Sequence, residues 1–329
     1  MTKKSSGFGN DADEFSPDSQ NQGCPYSNNE LDTGWVSRVQ DKLATWFEGA
    51  QRTLPWRQDR DPYRILVSEM MLVQTTVTAV VPYFERFLAR FPDVEALATA
   101  DEPDVLKLWE GLGYYRRARQ LHAAAQMIVS KHGGVMPMDP KQIRELPGVG
   151  RYIAGAILSQ AFDLPEPILE ANSQRVLARL IGWRGEQGSS ETLRRLWGCA
   201  ERLVPSRGAG NFNQALMELG ALICTPRSPS CLICPVSEEC RARREGLQDV
   251  IPTLTRRPEP LAASESSIVV RRAGRCLIVK RGPGGLWEGF WEFPTIHLEG
   301  ANPGKRPTRD DTDSRWCPGD DRAPGRDRA

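Results

Sequence analysis

Two glutamates in apolar surroundings, Glu69 and Glu170, are the first residues of this sequence that could do chemistry. Glu69 lies in the segment SEMMLVQT, on a helix that we expect to be buried. Burial raises the pKa of a carboxyl group, as a general acid requires, although a purely structural buried glutamate would give the same pattern. Glu170 follows an apolar pair and precedes Asn172, a residue type that caps helices well. Glu170 is therefore either a catalytic carboxylate or a residue that marks a helix start.

Four of the eight cysteines fall in one segment, CTPRSPSCLICPVSEEC. They are Cys224, Cys231, Cys234 and Cys240. Four thiolates in such a loop can bind one tetrahedral metal ion or an iron–sulfur cubane. Zinc sites favour two C-x2-C pairs and only one is present, so the spacing tilts modestly toward a [4Fe–4S] cluster and leaves zinc open. A disulfide framework is not expected, because the N-terminus shows no export signal.

A glycine-rich turn, LPGVGRY, lies between two segments with helical periodicity. Gly148 and Gly150 allow a tight turn whose backbone N–H groups point outward at the start of the next helix, which is a natural seat for a phosphate. An ordinary turn between two helices would show the same sequence pattern. Two arginine groups could also contact phosphates, although a charged run is more often a solvated face. These groups are Arg116, Arg117 and Arg119, and Arg241, Arg243 and Arg244.

The elements that must position these residues form a mainly α-helical protein. The 329 residues are 40% hydrophobic and 26% charged, as in a globular protein, and the net charge of +1 argues neither for nor against a nucleic-acid partner. Residues 34–245 have helical periodicity throughout, and residues 264–298 have short β-type runs around a hairpin signal. Residues 1–33 and 299–329 are polar and expected to be disordered, and 246–263 are expected to be a linker. No apolar run suggests a membrane span or a secretory signal, so we expect a cytoplasmic or nucleoid-associated protein.

The order of these motifs resembles the helix–hairpin–helix DNA glycosylase superfamily. Within it, the segments LPWR, SEMMLVQT, GLGYYRRAR, LPGVGRYIAGAIL, FNQALMELGALICT and GLWEGFWEFP are similar to the adenine glycosylases of the MutY family. The resemblance extends from about Trp35 to His297. It implies a helix–hairpin–helix fold with a [4Fe–4S] loop at 224–240, followed by a truncated α+β Nudix-like segment. It also implies a monomer that removes adenine paired with 8-oxoguanine or guanine in double-stranded DNA.

The resemblance assigns roles to the catalytic candidates. Glu69 would protonate the adenine, Glu170 would stabilise the positive sugar, and Asn172 would cap the helix beside it. Tyr152 stands where lyase-active relatives carry the lysine that forms a Schiff base, so we expect a monofunctional glycosylase. The remaining candidates are expected at the DNA. They are Trp56, Arg57 and Gln214 at the adenine, Gln74 at the opposite strand, Tyr114 as a wedge in the base stack, and Gly148 and Gly150 at a phosphate.

The chain departs from the MutY pattern in three places. It reads Leu-Glu-Ala-Asn where the family usually has Leu-Asp-Gly-Asn, and Val73 replaces a usual glutamine. The Nudix-like segment also ends near residue 298, with no further strand expected. We therefore predict that adenine excision is kept while the preference for 8-oxoguanine is reduced. Two alternatives stay open: an endonuclease III-like glycosylase-lyase, and a catalytically lapsed iron–sulfur module that only binds DNA.

Overall fold

The computed structural model describes residues 33–253, 265–282, 289–297 and 314–318. The chain divides into two compact units, Met1–Thr255 and Arg256–Ala329. Regular structure in the described part of the first unit is helical and that of the second is β, as the periodicity predicts. Of residues 1–33, which are predicted to be disordered, only Thr33 is described, and it begins the first helix. The centre of the predicted linker lies outside the described residues. No helix in the described ranges has the length and apolar character needed to cross a membrane.

Twelve α-helices and two short 3-10 helices are described in the first unit. The α-helices are α1 (Thr33–Ala50), α2 (Pro62–Leu72), α3 (Val77–Arg90), α4 (Val94–Ala98), α5 (Glu102–Trp109), α6 (Arg116–His132), α7 (Pro140–Arg144), α8 (Arg151–Phe162), α9 (Ala171–Ile181), α10 (Ser190–Leu203), α11 (Ala209–Leu222) and α12 (Arg241–Arg244). The 3-10 helices are Pro55–Arg57 and Cys231–Ile233. The helices predicted from the periodicity of RYIAGAILSQAF and of the segments after Asn172 and Phe212 are confirmed.

Two hydrophobic cores hold these helices together. The first contains the buried faces of α2 to α8, and the second those of α1 and α9 to α12. Helix α8 packs on α2 and also on α11, so it lies between the two cores. Gly155 permits close packing here, because a Cβ at this position would lie 2.2 Å from the carbonyl oxygen of Pro167. The segment that leads into α9 therefore runs directly against α8.

The helical unit extends beyond the predicted boundary at residue 245. Ile251 is buried in the second core, and its carbonyl accepts a hydrogen bond from Arg179 Nε at 2.8 Å. The carbonyl of Thr253 accepts from the backbone N–H of Gln187, also at 2.8 Å. The first part of the predicted linker thus packs on the helices, because it covers an apolar patch that local composition does not reveal.

Six strands are described in the second unit. They are β1 (Glu265–Ser267), β2 (Arg271–Arg272), β3 (Arg275–Lys280), β4 (Trp291–Glu292), β5 (Thr295–His297) and β6 (Ser314–Pro318). The predicted hairpin around Ala273 and Gly274 is confirmed as the antiparallel β2–β3 pair, and β1 pairs with β5. Strand β6 pairs with β3 from within the tail for which no further strand was expected. Its pairing depends on a partner far away in sequence, which a short run among Pro, Gly and Asp does not signal.

Candidate active site

Glu69 lies on the buried face of α2. This helix begins because Asp61 accepts a hydrogen bond from the N–H of Tyr63 at 2.9 Å and Pro62 occupies the first turn. Seven residues later the side chain of Glu69 is in the protein interior, with 2% of its surface exposed. The expected burial of this carboxyl group is therefore observed.

Two side chains of α8 donate hydrogen bonds to Glu69. The hydroxyl of Tyr152 donates to Oε2 at 2.5 Å, and the amide of Gln160 donates to Oε1 at 3.4 Å. These donors are eight residues apart and so share one helix face. Burial raises the pKa of Glu69, and the two donors oppose the rise because they favour the ionised form. Tyr152 was predicted at the site, whereas Gln160 was missed.

Glu170 is itself the N-cap of α9. Its carboxylate accepts from the backbone N–H groups of Asn172 at 2.6 Å and Ser173 at 2.7 Å. The Ser173 hydroxyl accepts from the N–H of Glu170 at 2.7 Å and completes a capping box. The prediction that Asn172 caps this helix is wrong, because the longer glutamate side chain reaches the free amides from two residues earlier. Asn172 Oδ1 instead accepts from Arg175 at 2.8 Å.

The two carboxyl groups and Tyr152 form one electrostatic cluster. The charge of Glu170 adds to the burial that raises the pKa of Glu69, and burial together with both carboxylates raises the pKa of Tyr152 well above its ordinary value. Burial also raises the pKa of Glu170, but the N–H groups of Asn172 and Ser173 oppose this. The net pKa of each carboxyl group is raised, because burial outweighs the hydrogen bonds that favour its ionised form. The two groups differ in their donors, because Glu69 is bonded by side chains of α8 and Glu170 by backbone N–H groups of α9.

A buried ion-pair network lies beside this cluster. Arg57 donates to Glu218 Oε2 at 3.0 Å, and Arg52 donates to Oε1 from Nε at 2.6 Å. The charge of Arg57 also opposes the rise that burial causes in the pKa of Glu69. Gln214 lies one turn before Glu218 on α11 and therefore on the same helix face. The sequence predicts Arg57 and Gln214 here but misses Glu218, the carboxylate that fixes Arg57.

Trp56 is more deeply placed than its predicted role at the adenine suggests. Its ring is 5% exposed and meets the edge of Phe84, with ring centroids 5.3 Å apart. It belongs to the first hydrophobic core. Trp56 therefore anchors the 3-10 helix that carries Arg57.

Two loop residues predicted to touch DNA have strained backbones. Gln74 has φ 58° and Tyr114 has φ 49°, in the left-handed region that side chains with a Cβ rarely adopt. Tyr114 is also 64% exposed although it is a large aromatic residue. Both features are typical of residues that are held in place to meet a partner.

The glycine-rich turn connects α7 to α8. Gly148 has φ 78°, and a Cβ there would lie 2.5 Å from Met70 Cε, so the turn packs closely on the helix of Glu69. Gly150 is the N-cap of α8 and leaves its first amides without a side-chain acceptor. The predicted tight turn between two helices is therefore present.

The arginines after GLGYY do not act as one group. Arg117 is buried and bonds to backbone carbonyls, so its prediction as a phosphate contact is wrong. Arg119 pairs with Glu102 at 3.1 Å. Arg116 is exposed. Helical periodicity turns neighbouring arginines toward different faces, which a run of letters conceals.

Comparisons with known proteins agree with this geometry. Residues 67–202 match the HhH-GPD superfamily base excision DNA repair proteins, and residues 224–240 match the iron–sulfur binding domain of endonuclease III. An adenine DNA glycosylase of Buchnera aphidicola (subsp. Schizaphis graminum) is 35% identical over 77% of this chain and 74% of its own length. The chain belongs to the adenine DNA glycosylase family.

Other comparisons show how much of this chain and of each relative the similarity covers. The adenine DNA glycosylase of Mus musculus is 34% identical over 87% of this chain, which spans 66% of the mouse protein. A solved thermostable thymine-DNA glycosylase superposes on 64% of this chain and 98% of its own, with TM-score 0.59 and 30% identity. A structure of a trapped endonuclease III–DNA covalent intermediate, 23% identical, has TM-score 0.56 and shows the shared fold. The predicted mainly α, helix–hairpin–helix glycosylase fold is confirmed.

The four cysteines of the iron–sulfur segment are free thiols of intermediate exposure. Burial raises the pKa of Cys234 to about 12, and the other three thiols of the segment contribute. No group of three His, Cys, Asp or Glu side chains within the described ranges has the spacing for one metal ion. A single ion with metal–sulfur bonds of about 2.3 Å needs closer thiolates than a cubane, in which each thiolate binds a different iron.

Positive charge surrounds this segment. Arg179 Nη1 lies 3.3 Å from Cys224 Sγ, and Arg175 Nε donates to the Cys224 carbonyl at 2.7 Å. Guanidinium groups complement the negative charge of a thiolate-bound cluster. The residues therefore fit [4Fe–4S], which Cys224, Cys231, Cys234 and Cys240 would hold. The cluster would fix the loop that follows α11.

Proposed function

We propose that this protein is a monofunctional adenine glycosylase that removes adenine from double-stranded DNA. The observation that supports this most strongly is the buried carboxyl of Glu69, bonded to the Tyr152 hydroxyl at 2.5 Å and electrostatically coupled to Glu170. One protonated and one ionised carboxyl group suit acid-assisted cleavage of a glycosidic bond. The similarity of the chain to adenine DNA glycosylases supports adenine as the base.

The proposed step follows from the two settings. Protonated Glu69 donates its proton to a ring nitrogen of adenine, and the electrons of the glycosidic bond move to the base as that bond breaks. Positive charge develops on the sugar, and ionised Glu170 stabilises it. Water then adds to the anomeric carbon, losing a proton to the ionised Glu69. Free adenine and an abasic site result, with Glu69 again protonated.

The nature of residue 152 favours this reaction over that of a glycosylase-lyase. A phenol has no amine to form a Schiff base with the sugar, and the Tyr152 hydroxyl already bonds to Glu69. Tyr152 instead keeps the acid oriented. We therefore retain the monofunctional prediction.

The DNA is proposed to meet three surfaces of the helical unit. Exposed Tyr114 would enter the base stack as adenine is extruded, with Gln74 near the opposite strand. The amides around Gly148 and Gly150 would hold a phosphate. Arg57 and Gln214 would contact the adenine, beside Trp56.

The partner base and the oligomeric state are further parts of the proposal. We propose that a monomer acts on adenine opposite 8-oxoguanine or guanine. The described strands of Arg256–Ala329 form one two-stranded and one four-stranded sheet. A reduced preference for 8-oxoguanine over guanine stays our expectation.

Single-turnover release of adenine from 8-oxoguanine:A and G:A duplexes tests the function. Release by the wild-type chain that disappears in Glu69→Gln would support the glycosylase, and the ratio between duplexes measures the opposite-base preference. A covalent adduct trapped by borohydride would favour a glycosylase-lyase instead. DNA binding without any release would favour the catalytically lapsed module.

A further inference from the structure

We propose that Arg117 is a positioning residue. It fixes the turn of Gln74 and the loop of Tyr114 relative to the C-terminal end of α2, the helix that carries Glu69. The proposal rests on the proposed function in that it takes these two loops to contact DNA. The contacts of the Arg117 guanidinium support the proposal, and they fall into two groups, one at Nη1 and one at Nη2.

The first group closes the C-terminal end of α2. Arg117 Nη1 donates to the carbonyls of Met70 at 2.9 Å, Met71 at 2.8 Å and Val73 at 2.5 Å. The last four carbonyls of a helix receive no hydrogen bond from within that helix. When they are buried, they need a donor from elsewhere in the protein. The helix that carries Glu69 therefore ends on the guanidinium of another helix, α6.

The second group reaches the two loops. Arg117 Nη2 donates to Thr75 Oγ1 at 3.2 Å, to the Gly113 carbonyl at 3.2 Å and to the Leu112 carbonyl at 3.4 Å. The guanidinium also lies 5.5 Å from the ring centroid of Tyr114. One planar group thus contacts both loops and the acid-bearing helix.

The contacts flank the two strained residues. The Val73 carbonyl and the Thr75 hydroxyl stand on either side of Gln74, and the Gly113 carbonyl immediately precedes Tyr114. Left-handed backbone at residues with a Cβ is unfavourable and persists only where the surrounding structure over-determines it. The fixed fork of Arg117 supplies that constraint to both loops at once.

Because Arg117 is buried, it can position the two loops but does not lie at the protein surface expected to bind DNA. The residue is 7% exposed, so it is not available to bind a phosphate directly. Its described acceptors are carbonyls and one hydroxyl. A lysine keeps the charge but cannot present a planar fork to acceptors on two sides.

The test compares R117K with a matched control, R90K, in which an exposed arginine of α3 is changed in the same way. We expect both variants to retain the helical circular dichroism of the wild type. Adenine release from a G:A duplex should fall roughly 100-fold in R117K and stay at the wild-type level in R90K, because displacement by about 1 Å is enough for such a loss. The pH dependence of release should not move, since the hydrogen bonds of Glu69 are intact.

A second readout separates positioning from general damage. With 2-aminopurine in place of the target adenine, fluorescence reports extrusion of the base, which we expect to be reduced in R117K. A duplex with an abasic site opposite the adenine costs less to open and should recover much of the lost rate. Equal extrusion and release in R117K and R90K would overturn the proposal, as would a rate loss that the abasic duplex leaves unchanged.

A third variant keeps the test valid if R117K is poorly folded. T75V removes one acceptor of Arg117 with little change of shape, and we expect a several-fold loss of extrusion and release. Wild-type behaviour of T75V would count against the proposal. If the wild-type chain extrudes the base but releases no adenine, the proposed function fails while the effect of Arg117 on extrusion is still measured.

Discussion

Replacing Glu218 by glutamine is expected to lower the free energy of unfolding by about 3 kcal/mol, because it leaves two arginines without their shared carboxylate. Glu218 has 1% of its side chain exposed and accepts from Arg57 at 3.0 Å and from Arg52 at 2.6 Å. The loss of a partner from a buried ion pair costs about 3–5 kcal/mol. Arg57 is 11% exposed and should show that full effect, whereas Arg52 is 36% exposed and water screens its share. The lower end of the range is therefore expected.

The pH dependence of this effect has a defined sign. Burial raises the pKa of Glu218, but the hydrogen bonds and charges of Arg52 and Arg57 outweigh it, and the net pKa is lowered. The contribution of Glu218 is therefore complete above the pKa of an unfolded glutamate and is lost as the pH falls through the folded value. The difference in stability between wild type and Glu218→Gln should shrink on acidification.

Urea unfolding followed by circular dichroism measures both effects. Glu102→Gln is the matched control, because Glu102 pairs with Arg119 at 3.1 Å on the surface. Exposed pairs contribute about 0.2–1 kcal/mol. If Glu218→Gln is no more destabilising than Glu102→Gln at neutral pH, the network is not the buried constraint that its distances indicate.

Three further changes test other contacts of the site. Tyr152→Phe removes a hydrogen-bond donor that favours ionised Glu69, so the pKa of Glu69 should rise. The alkaline limb of the pH–rate profile of adenine release should therefore move to higher pH, and an unmoved limb would contradict this. Glu170→Ser keeps a good N-cap, so the free energy of unfolding should change by about 1 kcal/mol or less. Single-turnover release of adenine should nevertheless fall about 100-fold. Retained release would mean that Glu170 serves only as a helix cap. Gly155→Ala places a Cβ 2.2 Å from the Pro167 carbonyl oxygen and should lower the free energy of unfolding by about 1–3 kcal/mol. An unchanged midpoint of thermal unfolding would show that the segment before α9 moves away without cost.

Residues that are defined by their local surroundings could be predicted from the sequence. A single glutamate among apolar residues identifies Glu69, and four cysteines in a short segment identify the cluster loop. Amphipathic spacing likewise predicts α8, α9 and α11. These features need no knowledge of what lies across the fold.

Features that depend on a distant partner were missed or assigned wrongly. One wrong assignment has a local cause instead: Glu170 is the N-cap in place of Asn172, because the choice depends on which side chain reaches the free amides. Gln160 and Arg117 are ordinary helix residues until α2 is packed against them. Glu218 did carry a signal, since FNQALMELGALIC holds one charge in an apolar run, the pattern that identified Glu69.

The position of the carboxyl pair between two cores affects how variants of this protein should be interpreted. Glu69 belongs to a helix of the first core and Glu170 to the start of a helix of the second. A substitution inside either core can shift its helices as a body by about 1 Å while every helix stays folded, and such a shift changes the separation of the two groups. Melting temperature and turnover can therefore diverge in a series of core variants. Variants of this kind need both measurements, because a stable protein can still leave its target unrepaired.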